Sequence, residues 1–213
     1  MKQALQIFYL SILISNFSYS QNLKIEKNTI KYFDENYKPI SNTEFQIKKW
    51  KNSFLSIQGD SINHKILSIR ETHGTIGNKK ALDSLLTSAT NKKIDSSKPI
   101  VIIYYPGKDP CNSSGSATRK RIRNWYNKME KGINKIKEST IIYIYKGTDG
   151  LYGKNDGFKN WVKDPENNIE RLFFNRHYPC SSFVIISEKS EFISFFGEFS
   201  KEKIWETTKM LSN

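Results

Sequence analysis

Lys98-Pro99-Ile100-Val101-Ile102-Ile103-Tyr104-Tyr105-Pro106-Gly107-Lys108-Asp109-Pro110-Cys111 is the stretch on which the fold turns. From Ile100 to Tyr105 no residue offers a polar face, so the run reads as a central parallel strand buried on both sides. A loop rich in Pro and Gly follows, and Cys111 stands where the next helix should begin. Ser113 or Ser114 can cap that helix, which runs to about Lys137 with Ile122, Trp125, Met129, Ile133 and Ile136 as its apolar stripe.

Outward from this stretch the pattern stays regular. Upstream, residues 64–71 alternate as a strand, and residues 79–92 place Leu82, Leu85, Leu86 and Ala89 at helical spacing. Downstream, residues 140–145 predict a strand, and residues 147–163 a long Gly- and Asp-rich loop with one helical turn near Phe158–Trp161. Asp164-Pro165-Glu166 opens a short helix to Asn175. Residues 182–186 and 191–196 predict a hairpin across the polar turn Ser187-Glu188-Lys189-Ser190, and Ser200 caps a last helix carrying Ile204, Trp205 and Leu211. The order is strand, helix, strand, helix, strand, helix, strand, strand, helix, the first half being βαβ-like with right-handed crossovers.

The N-terminal region is of another kind. Lys2, the apolar stretch from Ala4 to Ile14 and the small residues Ser18 and Ser20 predict a secretory signal peptide over residues 1–20, cleaved before Gln21. The apolar run is shorter than the ~20 residues a membrane span needs, so no stable membrane anchor is expected. Residues 21–61 read as a β-rich extension of two to four short strands around Leu23–Ile25, Thr29–Phe33, Phe45–Ile47 and Phe54–Ile57, with turns at Asp34–Asn36 and Pro39. Residues 62–213 form the main domain. Export, periplasmic or secreted, places the two cysteines where disulfides persist.

The chain has 34 Lys and Arg against 21 Asp and Glu, a net charge of +13. The excess is mostly lysine scattered among Asn and Ile, and the one dense patch, Arg119-Lys120-Arg121-Arg123, falls on a helix face. Arginine, the better residue for bidentate phosphate contacts, is scarce, so no nucleic-acid partner is expected. Gly107-Lys108 lacks the rest of a phosphate loop, and Asp149 to Gly157 lacks the spacing of a calcium hand.

Chemistry centres on Cys111 and Cys180, 69 positions apart. A thiol at a helix start meets unpaired backbone N–H groups and the positive end of the helix dipole, which favour the thiolate. Arg119, Arg121 and Arg123 push the same way, and Asp109 opposes them.

Residues 62–212 resemble the thioredoxin fold. The likeness rests on element order and three local matches: Pro99–Tyr105 followed by Cys111, then Tyr178-Pro179-Cys180-Ser181-Ser182-Phe183 before a strand, then Phe196-Gly197-Glu198 before the last helix. It implies an α/β domain, a thioredoxin-like three-layer α/β/α sandwich with a short N-terminal β extension, in which Cys180 lies near Cys111. The chain departs from the family at Cys111-Asn112-Ser113-Ser114, a Cys-x-x-Ser. Ser114 cannot resolve a mixed disulfide and is expected to donate a hydrogen bond.

The resemblance implies thiol–disulfide exchange in which Cys111 attacks, Cys180 resolves or pairs, and Tyr178 and Pro179 shape the substrate edge. The partner would be a protein or small-molecule thiol or disulfide, and no cofactor is required. Two other readings stand beside it. Cys111 and Cys180 can form a permanent bridge in a non-catalytic binding or structural module, worth ~4 kcal/mol on the chain-entropy model. Alternatively, Cys111, His177 and Cys180 can converge as a copper or zinc site. A peroxiredoxin-like activity would need donors for peroxide oxygens, and Arg176 is the one the sequence offers.

Overall fold

A computed structural model of the protein describes residues 29–51, 53–113, 116–151 and 159–212. Their regular elements fall in the unit Lys31–Asn213. The expected signal peptide, and the first strand expected around Leu23–Ile25, lie outside the described residues. Chain order is β1 (Lys31–Phe33), β2 (Pro39–Ile40), α1 (Asn42–Trp50), β3 (Phe54–Gln58), β4 (His64–Ile69), β5 (Glu71–Thr75) and α2 (Lys79–Thr90). Then come β6 (Ile100–Tyr105), the one-turn α3 (Pro110–Ser113), α4 (Arg119–Ile136), β7 (Thr140–Tyr145) and β8 (Trp161–Lys163). The chain closes with α5 (Asn168–Phe173), β9 (Ser182–Ile186), β10 (Glu191–Phe195) and α6 (Lys201–Leu211).

The apolar run predicted to be central is central. Every residue of β6 is at most 3 % exposed, and the six-stranded sheet runs β5-β10-β9-β6-β7-β8. β6 pairs parallel with β7 and antiparallel with β9, and β9 and β10 form the expected antiparallel hairpin. Side chains alternate across the strand. Ile100, Ile102 and Tyr104 join Leu82 and Leu86 of α2 and Ile169 and Phe173 of α5. Val101 and Ile103 instead join Tyr126, Met129 and Ile133 of α4 and Ile204 of α6. Helices thus cover both faces of a mixed sheet, the thioredoxin-like three-layer arrangement.

On the second face α4 and α6 approach closely. A Cβ at Gly132 would lie 2.2 Å from the Trp205 indole, whose Nε1 donates to the Met129 carbonyl at 3.0 Å. Gly132→Ala should therefore lower unfolding stability by about 1–3 kcal/mol through overpacking, read by denaturant titration.

The N-terminal part departs from expectation at α1. Residues 45–47 read as a strand, yet they lie in a helix. Ser41 accepts the Glu44 N–H on its Oγ, Lys48 and Lys49 fill the last turn, and Phe45 alone is buried. Ser41-x-x-Glu44 is the sequence mark of this helix start, and the apolar alternation at Phe45 and Ile47 conceals it.

Residues 64–71 also divide. β4 belongs to a four-stranded sheet, β2-β1-β4-β3, and β5 to the edge of the six-stranded one. Arg70 is the crossing point: its N–H donates to Ser53 O at 3.0 Å, while its carbonyl accepts from Phe196 N at 2.8 Å. Its guanidinium lies over the Phe195 ring at 5.0 Å and donates to Glu198 O.

Two later elements differ as well. Trp161–Lys163, expected as the end of the long loop, is a short strand beside β7; the turn expected near Phe158–Trp161 begins outside the described residues, and Lys159–Trp161 are not helical. The helix expected from Asp164 begins only at Asn168, because Glu166 and Asn167 have φ of 52° and 56°. The Asp164 carboxylate spans that interruption, accepting Ile169 N–H at 3.0 Å and Glu170 N–H at 2.9 Å.

Candidate functional site

Two loops meet at the C-terminal end of β6. One leaves β6 through Pro106–Asp109 into α3, and the other enters β9 through His177–Ser181. Cys111 in the first and Cys180 in the second are joined by a disulfide, with Cα atoms 5.2 Å apart. Cys111 is exposed and Cys180 half-buried.

The helix that follows Cys111 is not the one expected. The sequence predicted one continuous helix to Lys137 with Cys111 at its start. Instead α3 is a single turn, and the long α4 begins afresh at Thr118, whose Oγ1 accepts Arg121 N–H. Ser113 does not cap α4; its hydroxyl donates to the Asp109 carbonyl. The unpaired N–H groups of α4 are therefore not presented at Cys111, so the dipole of the long helix does not favour a thiolate there. Ser114, expected to donate a hydrogen bond, lies outside the described residues.

What holds the two loops together is Asp109 with Asn112. Asp109 is 9 % exposed. Its Oδ1 accepts Asn112 N–H at 2.9 Å and its Oδ2 accepts Cys180 N–H at 2.8 Å. Asn112 returns the contact, accepting Asp109 N–H at 3.0 Å and donating to Gly107 O at 2.8 Å and Cys180 O at 3.4 Å. Both backbone polar groups of Cys180 are thus engaged across the junction. Its φ of +67° is a conformation that few non-glycine residues adopt without such support. In the sequence Asp109 figures only as an opposing charge, and Asn112 only as a member of the Cys-x-x-Ser segment. The missed signal was Asp109-Pro110, the same helix-start pairing recognised at Asp164-Pro165.

A cavity of about 360 Å³ opens beside the bridge. Cys180, Ser181 and Asn112 line its sulfur end, Ile122, Trp125 and Phe199 give it an apolar wall, and Arg121 and Glu198 supply opposite charges. Tyr105 lies at its base, with its hydroxyl donating to Asp149 O at 2.9 Å. Burial, with the Asp109 and Asp149 carboxylates adding to it, raises the Tyr105 pKa from 10.0 to about 12. The folded protein therefore keeps a proton that the unfolded chain releases near 10. That stabilisation is complete below pH 10.0 and is lost as pH rises toward about 12. Equilibrium unfolding across this range should show stability falling, and Tyr105→Phe should remove part of the fall.

Pro179 is half-buried and borders a separate depression with Asp109, Pro110 and His177. Tyr178 is 4 % exposed; its ring stacks on Phe196 at 4.1 Å, and its hydroxyl donates to Asn175 Oδ1 at 3.1 Å. It supports the loop from within the core. Arg176 turns toward the N-terminal part, its guanidinium 5.1 Å from the Tyr37 ring, which it also meets through a hydrogen bond to the hydroxyl.

Among metal-ligand types, Asp109, Cys111 and Cys180 converge within 4.8 Å of one another. His177, the expected third member with the cysteines, is exposed, with Nε2 3.7 Å from Asp109 Oδ2. Bonded to each other, the two sulfurs offer no thiolate to a metal.

Fold and bridge together define a thioredoxin-like α/β protein with a disulfide across its two site loops. No family model matches the chain, and no curated protein matches it. Among solved structures it is similar to an exposed lipoprotein thioredoxin of Streptococcus pneumoniae. The match has 12 % identity and a TM-score of 0.37, covering 55 % of this chain and 87 % of that one. The fold assignment rests on the chain's own strand order and helix layers.

Proposed function

We propose that the protein is exported and exchanges thiols for disulfides through Cys111, with Cys180 as the resolving partner. The observation that carries this is the unequal exposure of the bridged residues: Cys111 is exposed, while Cys180 is half-buried and lines the cavity. In the reduced protein the Cys111 thiolate attacks a substrate disulfide. A bond forms between Cys111 Sγ and one substrate sulfur, and the other leaves and takes a proton. The Cys180 thiolate then attacks Cys111 Sγ, and the second substrate sulfur leaves as a thiol. Two electrons pass to the substrate and the protein ends as the Cys111–Cys180 disulfide, the state described above. A dithiol reductant returns it. This route uses a cysteine 69 positions away in the role that Ser114 cannot fill in the Cys-x-x-Ser segment.

The rival reading is a permanent bridge in a non-catalytic module. Redox titration with thiol counting decides between them. A potential well above −300 mV is expected for a working pair, whereas a structural bridge would fall below about −300 mV. Export is tested separately by N-terminal sequencing of secreted protein, which should begin at Gln21.

A further inference from the structure

Helix α1 is apolar on two opposite sides. Phe45 points inward and is 2 % exposed. Ile47 and Trp50, one turn apart, lie on the far side of the helix from Phe45. Ile47 is 56 % exposed and Trp50 is 90 % exposed. Lys48 and Lys49 stand in the last turn and Lys51 is the C-cap, so the end of the helix that carries Trp50 is basic. Among the acidic groups near it are Glu35, 3.6 Å from the Lys48 amino group, Glu44, 3.9 Å from it, and Asp34, which also feels the Lys48 charge.

We infer that this ridge docks the protein peripherally on an anionic lipid bilayer, with Trp50 and Ile47 entering the headgroup region and the lysines meeting lipid phosphates. The inference is independent of the redox reading. Three observations choose the occupant. Trp50, 90 % exposed, stands clear of its neighbours among the described residues, which form no groove around it to receive a peptide. Two side chains of this size offer less than ~400 Å², well short of the ~800 Å² per partner that a stable dimer interface needs. A bilayer makes no such demand: tryptophan favours the interfacial layer, and lysines are attracted to an anionic surface. The net charge of +13 adds to that attraction. No helix among the described residues is long and apolar enough to cross a membrane, so the contact would be at the surface.

The test is sedimentation of the whole chain with phosphatidylglycerol–phosphatidylcholine vesicles, compared with vesicles of phosphatidylcholine alone. Binding should require the anionic lipid, weaken at high salt, and fall about tenfold in Trp50→Ala. Brominated lipid should quench emission in the native chain and lose that component in Trp50→Phe, since Trp125, Trp161 and Trp205 remain as internal references. An unchanged thermal midpoint shows that each variant is folded. The inference is overturned if no vesicle binding occurs, or if Trp50→Ala binds as the native chain does. It is also overturned if neutral vesicles bind equally, which would assign binding to the apolar stretch from Ala4 to Ile14. Self-association that Trp50→Ala abolishes, without vesicle binding, would assign the ridge to a second copy of the chain.

Discussion

Cys111→Ala is expected to reduce disulfide exchange to the uncatalysed rate, measured by reduction of insulin or a small disulfide with a dithiol donor. Cys180→Ala should behave differently. It keeps the attacking thiol and loses the resolving one, so a stable mixed disulfide on Cys111 should accumulate, visible by mass spectrometry, with turnover blocked. Both variants open the bridged loop and should lose about 4 kcal/mol of stability on the chain-entropy model. Stability alone thus cannot separate catalyst from staple, whereas the mixed disulfide can. If the native protein turns over no faster than Cys111→Ala, the exchange reading fails and the structural bridge stands.

The second large effect is expected at Asp109. Its carboxylate accepts both the Asn112 and Cys180 N–H groups. Asp109→Ala leaves two donors without acceptors, costing about 1–3 kcal/mol each where water cannot reach them. Asp109→Asn keeps the shape and one acceptor oxygen but removes the charge. A carboxylate oxygen of Asp109 lies within 4.8 Å of both bridged sulfurs, and if it keeps that place on reduction its charge opposes formation of either thiolate. Its removal should lower the thiol pKa. At pH above the thiol pKa this stabilises the reduced form and moves the couple toward a more oxidising potential, by about 30 mV for each 1.4 kcal/mol. Thiolate absorbance against pH reads the first effect and redox titration the second. A purely structural Asp109 would lower stability in both variants and move neither the thiol titration nor the potential.

Much of the fold was legible because burial writes itself into composition. The run Ile100–Tyr105 has no polar face, and a strand without one must lie inside a sheet covered on both sides. The stripes of α2, α4 and α6 were readable from spacing, and the β9–β10 hairpin from its polar turn. Short elements were less secure. At residues 45–47 a capping box and an apolar alternation competed, and the Ser41 and Glu44 cap prevailed because it satisfies backbone N–H groups that an isolated strand would leave unpaired. At Arg70 a continuous alternating pattern concealed a change of sheet, because alternation records which face a side chain takes and carries no information about which strand pairs with it.

The sequence by itself determined that two cysteines would matter, that the first follows the central strand, and that the second precedes another buried strand. Element order then made them neighbours. Only the tertiary structure decided how they are held. Cys111 was expected to draw its character from the start of a long helix, but α3 ends after one turn and α4 is capped separately at Thr118. The environment of the sulfurs comes instead from Asp109 and Asn112 reaching across to the backbone of Cys180. Those hydrogen bonds join positions far apart in the chain, through directional contacts that require both loops to be in place, and no local periodicity or propensity encodes them.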